Sequence, residues 1–154
     1  MEKVWLEEQF KGNEALTDYF AEEGRARIHK WVEDIRAFQA SLGLCFFSFV
    51  TSVPWHKVLA ELYTAVTGVD MKPDGVVTVG ERINTLERLF NLREGLTRED
   101  DTLPERFLKE PIAEGSCKGR VVNIDLMVNE YYVARGWTNG IPTPKKLQEL
   151  GIDS

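Results

Sequence analysis

The sequence predicts an all-α, multihelical domain. Three observations carry this reading. Apolar residues recur at three- and four-residue spacing in segment after segment, the period that lines up one face of a helix. Glycines and Pro-led starts punctuate those segments at helix-like lengths. No run alternates apolar and polar residues long enough to make a convincing sheet. The chain has 154 residues, 43% of them hydrophobic, enough for one domain with its own core and too apolar for disorder. No repeat, low-complexity tract or linker divides it, so residues 1–154 read as a single helical domain.

Residues 4–20 are irregular and suit a short helix or a docked segment. Ile28, Trp31, Ile35, Phe38 and Leu42 then form one apolar stripe, with Gly24 at the start of that helix and Gly43 at its end. Pro54 opens a helix whose buried face is expected to be Leu59, Leu62, Tyr63 and Val66, with Gly68 as its stop. Thr78-Val79-Gly80-Glu81 reads as a capping box. Behind it, Ile83, Leu86, Leu89 and Phe90 are expected to face inward up to Gly95. Asp101 to Pro104 starts a short helix through Phe107 and Leu108, ended before Pro111. Residues 110–122 read as a loop with an extended piece at Arg120-Val121-Val122. Asn123 caps a helix through Leu126, Met127, Tyr131 and Val133 that Gly136 closes, and Thr143-Pro144 opens a last helix with Leu147 and Leu150.

The net charge of −6 and the pI near 5.0 argue against a nucleic-acid binder and against an anionic membrane surface. The start, Met1-Glu2-Lys3-Val4-Trp5, has no signal-peptide core. From Ala37 to His56 there is no Asp, Glu, Lys or Arg, although 29% of the chain is charged. Gln39, Ser41, Ser48, Thr51, Ser52, Gly43 and Pro54 interrupt this run, so it reads as a buried helix end and loop, not a membrane span. Cys45 and Cys117 are too few for a disulfide framework, and reduced thiols point to the cytoplasm.

No phosphate-binding glycine loop, nucleophile elbow or His-Glu-x-x-His motif occurs. His29 and His56 read as surface or capping side chains. Glu7-Glu8, Glu22-Glu23 and Asp100-Asp101 read as solvated faces or helix starts, and no catalytic carboxylate pair stands out. Phe46, Phe47, Phe49, Trp55 and Tyr63 read as core. Cys45 has two readings. It is a small buried hydrophobe, the commoner fate of a lone cysteine, or a soft metal ligand on a glycine turn in dry surroundings. One thiolate cannot hold an iron–sulfur cube, so under the second reading the other ligands lie outside this chain.

Several segments, in order, carry a resemblance. They are Leu42-Gly43-Leu44-Cys45; Val79-Gly80-Glu81-Arg82-Ile83-Asn84; Glu87-Arg88-Leu89-Phe90-Asn91; and Asp100-Asp101-Thr102-Leu103-Pro104-Glu105-Arg106-Phe107. Tyr131-Tyr132, Arg135-Gly136-Trp137, Gly140-Ile141-Pro142 and Leu147-Gln148-Glu149-Leu150-Gly151 continue the series. From about residue 24 to 152 the chain resembles the C-terminal region of aldehyde ferredoxin oxidoreductases, pterin enzymes of tungsten or molybdenum. The resemblance implies a multihelical fold. It also implies an enzyme that oxidises aldehydes to carboxylic acids and passes electrons to ferredoxin, using a bis-pterin metal beside a 4Fe-4S cluster. Three cluster cysteines of that family lie in a preceding domain and the fourth lies in a Gly-Leu-Cys turn, here Cys45. The same turn touches a pterin, which gives Gly43 and Leu44 a cofactor-binding role alongside Cys45. Where the family has an Asp, five residues before the cysteine, this chain has Ala40, which offers no side-chain acceptor. Pterin contact is then arranged differently or falls to another residue such as Gln39.

No catalytic residue is carried over, and Arg82, Arg88 and Trp137 are assigned to packing or ion pairs. Cys117, in a variable loop, is incidental. Lacking the preceding catalytic and cofactor domains, the chain alone is expected to be inactive and cofactor-free. Its partners would be those domains or a separate large subunit, and alone it would self-associate through the surface near Cys45. The alternative is a stand-alone helical interaction module or small subunit without redox chemistry.

Overall fold

Glycines and prolines set where the helices begin and end. The computed structural model describes residues 9–13, 18, 20–49 and 53–152, the side chains of residues 48 and 49 excepted. Helix α1 spans Arg25–Ser41 and runs into Leu42 and Gly43, after which a short 3-10 turn covers Phe46–Phe49. Helix α2, Trp55–Thr67, follows Pro54 and stops at Gly68. Helix α3, Pro73–Arg93, is the longest of the described elements, with Pro73 in its first turn. A 3-10 turn at Arg98–Asp100 leads to α4, Glu105–Lys109. Helix α5, Ile124–Arg135, is capped by the Asn123 side chain and closed by Gly136. Two short strands, β1 (Trp137–Thr138) and β2 (Ile141–Pro142), pair antiparallel with Trp137 opposite Pro142 and Thr138 opposite Ile141. Helix α6, Pro144–Leu150, is capped by Thr143.

The α1 stripe builds the core. Trp31, Ile35 and Phe38 meet Leu59 and Ala60 of α2 and Val76 of α3. Each large side chain buried here contributes roughly 1.5–3 kcal/mol. Phe10 stands edge-on to Trp31 at 5.7 Å between ring centroids, docking the preceding segment on this face. Helices α1 and α3 pack backbone to backbone at Gly80. A Cβ on Gly80 would strike the main-chain carbonyl of Asp34, so only glycine fits.

The structure bears out the helix boundaries after Gly24, Pro54, Pro104, Asn123 and Thr143, and corrects three expectations. Thr78 is not a cap. It lies inside α3, its hydroxyl donating to the Asp74 carbonyl, because the helix already begins at Pro73. A capping box sits instead at Thr97, whose side chain and backbone pair with Asp100. Second, the inner faces of α2 and α3 differ from the expected ones. Leu62, Val66, Leu86 and Phe90 are exposed, whereas Ala60, Thr85 and Arg88 are buried. α3 turns its polar side inward because buried ionic groups of α1 and α5 face it there.

Third, Phe46 and Phe47 are not core: they are 64% and 75% exposed. The chain leaves the α1 axis at Gly43, and only Leu42 and Leu44 fold back on the core, with Trp55 and Tyr63 packing partly against it. The Phe49 side chain lies outside the described residues, as does most of 4–20. The sheet among the described residues is only the two-residue ladder at the Asn139-Gly140 hairpin, in keeping with the all-α expectation, and residues 120–122 form no strand. The loop is held instead by Gly119 and Val122 amides donating to Ile112 and Phe107 carbonyls at 2.8 and 2.9 Å.

Candidate functional site

Helix α1 ends in a tight turn that presents Gly43, Leu44 and Cys45 together. Leu42 and Gly43 amides close the helix by donating to Gln39 and Ala40 carbonyls at 3.1 and 3.0 Å. Gly43 has φ 71°, a left-handed value that a side chain would resist, and nothing lies within 4 Å of where its Cβ would stand. Leu44 points back to the core and anchors the turn. Cys45 is exposed, so it is not part of this chain's own core. Around it the exposed Phe46 and Phe47 rings meet edge-on at 5.7 Å, in a stretch without acidic or basic side chains. Ala40 is exposed one turn back.

Gln39 is not a substitute acceptor for the absent Asp. Its side chain is buried, 1% exposed, and committed at both ends. Its amide nitrogen donates to the Cys45 carbonyl at 2.8 Å, and its amide oxygen accepts from Arg36 at 3.0 Å. Arg36 also donates to the Phe46 carbonyl at 3.3 Å and lies over the Phe46 ring at 4.5 Å. Sequence reasoning missed this arrangement. The available signal was a Gln beside Phe38 on the apolar stripe, where a polar side chain requires partners.

A second polar centre lies among α1, α3 and α5. Arg135, fully buried, pairs with Asp34 and Glu33 at 2.5 Å each and donates to the Tyr131 hydroxyl at 2.8 Å. Asp34, also fully buried, accepts from Asn84 at 2.8 Å and Lys30 at 2.9 Å. Lys30 continues to Glu81 at 3.0 Å, which meets Lys146 of α6 at 3.2 Å. Burial raises the Asp34 pKa, and the charges of Arg135 and Lys30 pull it back. Arg88 grips Asp101 with two bonds of 2.9 and 2.6 Å and donates to the Gly140 carbonyl at 2.8 Å. The Tyr132 hydroxyl closes on the same carboxylate. Burial and that bond push its pKa up to about 12. Arg82 donates to the Leu150 carbonyl at 2.7 Å, and Trp137 lies under Arg88 and Arg135. These partners give Arg82, Arg88 and Trp137 structural work. A cleft of about 840 Å³ opens over this centre, lined in part by Ile28, Glu33, Arg88 and Tyr131. It does not include the Cys45 turn.

Among the described residues no group of three or more His, Cys, Asp or Glu side chains gathers as a metal site. No described helix is long and apolar enough to cross a membrane. Cys117, in the loop before α5, has its sulfur 3.9 Å from the Ser116 hydroxyl.

The family model described as aldehyde ferredoxin oxidoreductase, domains 2 and 3, matches residues 2–152. The chain belongs to that family. A tungsten-containing aldehyde ferredoxin oxidoreductase of Pyrococcus furiosus is 44% identical over 123 residues, covering 78% of this chain and 20% of the relative. Its counterpart in Pyrococcus horikoshii is 42% identical over 123 residues, covering 79% and 20%. The chain therefore spans about one fifth of the length of these relatives. Among solved structures, the active-site complex BamBC of benzoyl coenzyme A reductase, bound to 1,5-dienoyl-CoA, superposes with TM-score 0.68. It covers 98% of this chain and 25% of that one at 20% identity, a likeness of fold.

Proposed function

We propose that this chain is the part of an aldehyde:ferredoxin oxidoreductase-like enzyme that closes the redox centre, with Cys45 as one thiolate ligand of a 4Fe-4S cluster. One observation carries the reading: Cys45 is exposed on an open glycine turn beside the exposed Phe46 and Phe47 rings, with Arg36 over the Phe46 ring as the neighbouring cation. That is the soft donor a cluster site uses, next to apolar rings that a covering domain would bury. The fit is partial by design, because a single soft donor supplies one of four ligands. The rest would come from the preceding domains of the same enzyme or from a large subunit. Gly43, with open space where a Cβ would stand, would let a pterin edge approach the backbone closely. Phe46 and Phe47 would exclude water once covered.

In the complete enzyme the pterin-held tungsten (or molybdenum) would supply the oxidation of an aldehyde to a carboxylic acid, with ferredoxin as acceptor. This chain contributes enclosure and one ligand and no acid–base group. Alone it is inactive and holds no cofactor, and its compartment is the cytoplasm. The same exposed rings would drive self-association of the isolated chain. The test is Cys45→Ala in the complete enzyme, purified anaerobically, with iron and tungsten counted per molecule. Loss of cluster iron is expected, and a full iron complement in the variant rules the role out.

A second reading, a helical interaction module without redox chemistry, is favoured by Ala40, which leaves the pterin side without the family's acceptor. Isolation from native cells without iron, tungsten or molybdenum would support it.

A further inference from the structure

The buried Gln39 amide donates through its NH2 to the carbonyl of Cys45, and its oxygen accepts from Arg36 on the same helix. We propose that Gln39, held by Arg36, is the positioning residue of the cluster ligand: it fixes the Cys45 peptide, and with it the direction and electronic setting of the thiolate. The inference rests on Cys45 being a ligand and adds a residue to that site.

Gln39 lies on the last turn of α1, 1% exposed, six residues before the thiol. Its amide orientation is not arbitrary. Arg36 has only donors, so the Gln39 oxygen must face Arg36, which turns the NH2 group toward the Cys45 carbonyl. Arg36 then donates to the next carbonyl, that of Phe46, and covers its ring. Two consecutive carbonyls after the glycine turn are thereby held by one linked pair of side chains. Gly43 is free of side-chain constraint, and of the next three side chains only Leu44 packs inward.

A trans peptide sets its C=O and N–H on opposite edges. With the Cys45 carbonyl drawn toward Gln39, the Phe46 N–H lies on the edge away from it. The potential of an iron–sulfur centre responds to hydrogen bonds and solvent near its sulfurs, and a conformationally free ligand loop leaves both undefined. An ordered backbone at Cys45 is therefore a means of setting the potential, and Gln39 supplies the order.

Gln39→Glu decides the matter with little change of shape. A carboxylate still accepts from Arg36 and no longer donates to the Cys45 carbonyl. In the complete enzyme, purified anaerobically, three quantities are measured: iron per molecule, the EPR spectrum of the reduced cluster, and its midpoint potential. The expected result is retained iron with an altered EPR line shape and a shifted potential, at unchanged tungsten content. Arg36→Met, which releases the Gln39 amide to rotate, gives a smaller shift in the same direction and decides the question if Gln39→Glu does not fold. Variants with wild-type EPR spectrum and potential overturn the positioning role. Cys45→Ala, measured in parallel, separates the two levels: full iron there removes the ligand reading and this inference with it. Iron loss there, with silent Gln39 and Arg36 variants, removes this inference alone.

Discussion

Gly80→Ala sets local helix preference against tertiary packing, and the structure says which wins. Alanine inside α3 gains about 0.5–1 kcal/mol over glycine in helix propensity. At residue 80, however, the added methyl meets the carbonyl oxygen, carbonyl carbon and Cα of Asp34. These are backbone atoms of a neighbouring helix and cannot swing aside. α1 and α3 must part, loosening Trp31 and Ile35 against Val76 and drawing Asp34 away from Asn84. Overpacking of this kind costs roughly 1–3 kcal/mol and sometimes more, and with backbone on the receiving side the upper end applies. The net loss is then about 2 kcal/mol. At about 2–4 °C per kcal/mol for a chain of this size, the melting temperature falls by about 4–8 °C. Gly75→Ala is the control. Its methyl meets only the Met71 sulfur at 2.8 Å, the movable end of a flexible side chain. That variant should melt at or slightly above wild type. The assay is thermal unfolding followed by far-UV circular dichroism. A Gly80→Ala chain as stable as Gly75→Ala would refute the close crossing of α1 and α3.

Arg135→Met leaves Asp34 and Glu33 without their shared cation. Removing one partner of a buried pair costs about 3–5 kcal/mol, read as a lower urea midpoint; a loss under about 1 kcal/mol would mean that the network tolerates the gap. Tyr132 has its pKa raised to about 12 from 10.0, so the folded chain keeps a proton that the unfolded chain releases. Its contribution is fully present below pH 10 and declines as pH rises through about 12. Tyr132→Phe should therefore flatten the alkaline fall in stability across that window, and an unchanged slope would contradict it. Phe46→Ser with Phe47→Ser should reduce self-association of the isolated chain in sedimentation velocity, and a wild type already monomeric at high concentration would count against the exposed patch as the cause. Anaerobic affinity purification from native cells should bring a larger cysteine-containing partner polypeptide, or covalently attached preceding domains, with iron and tungsten in the eluate.

Most helix boundaries were legible from residue chemistry, because glycine, proline and capping side chains act within one turn of themselves. The α1 stripe was legible too, since a 3.6-residue period shows in the sequence. The sequence also supported an ordered resemblance to a known family, which the family match over residues 2–152 bears out, and with it the proposal for Cys45. What it did not determine were the partners of buried polar groups. Asp34 sits on the same stripe as Trp31 and Phe38, yet the charge that justifies its burial is Arg135, 101 positions away. Arg88 finds Asp101 and Gly140 in the same long-range way. Thr78 follows a capping pattern that a helix already begun at Pro73 overrides. Leu86 and Phe90 obey the apolar period but face outward, because the side facing α1 and α5 is spent on ions. The tertiary structure decided these points, and it also placed Cys45 at the surface with Gln39 beneath it. Local rules act over a few residues, whereas desolvating a charge is settled only by whatever the rest of the fold brings within 3 Å or so.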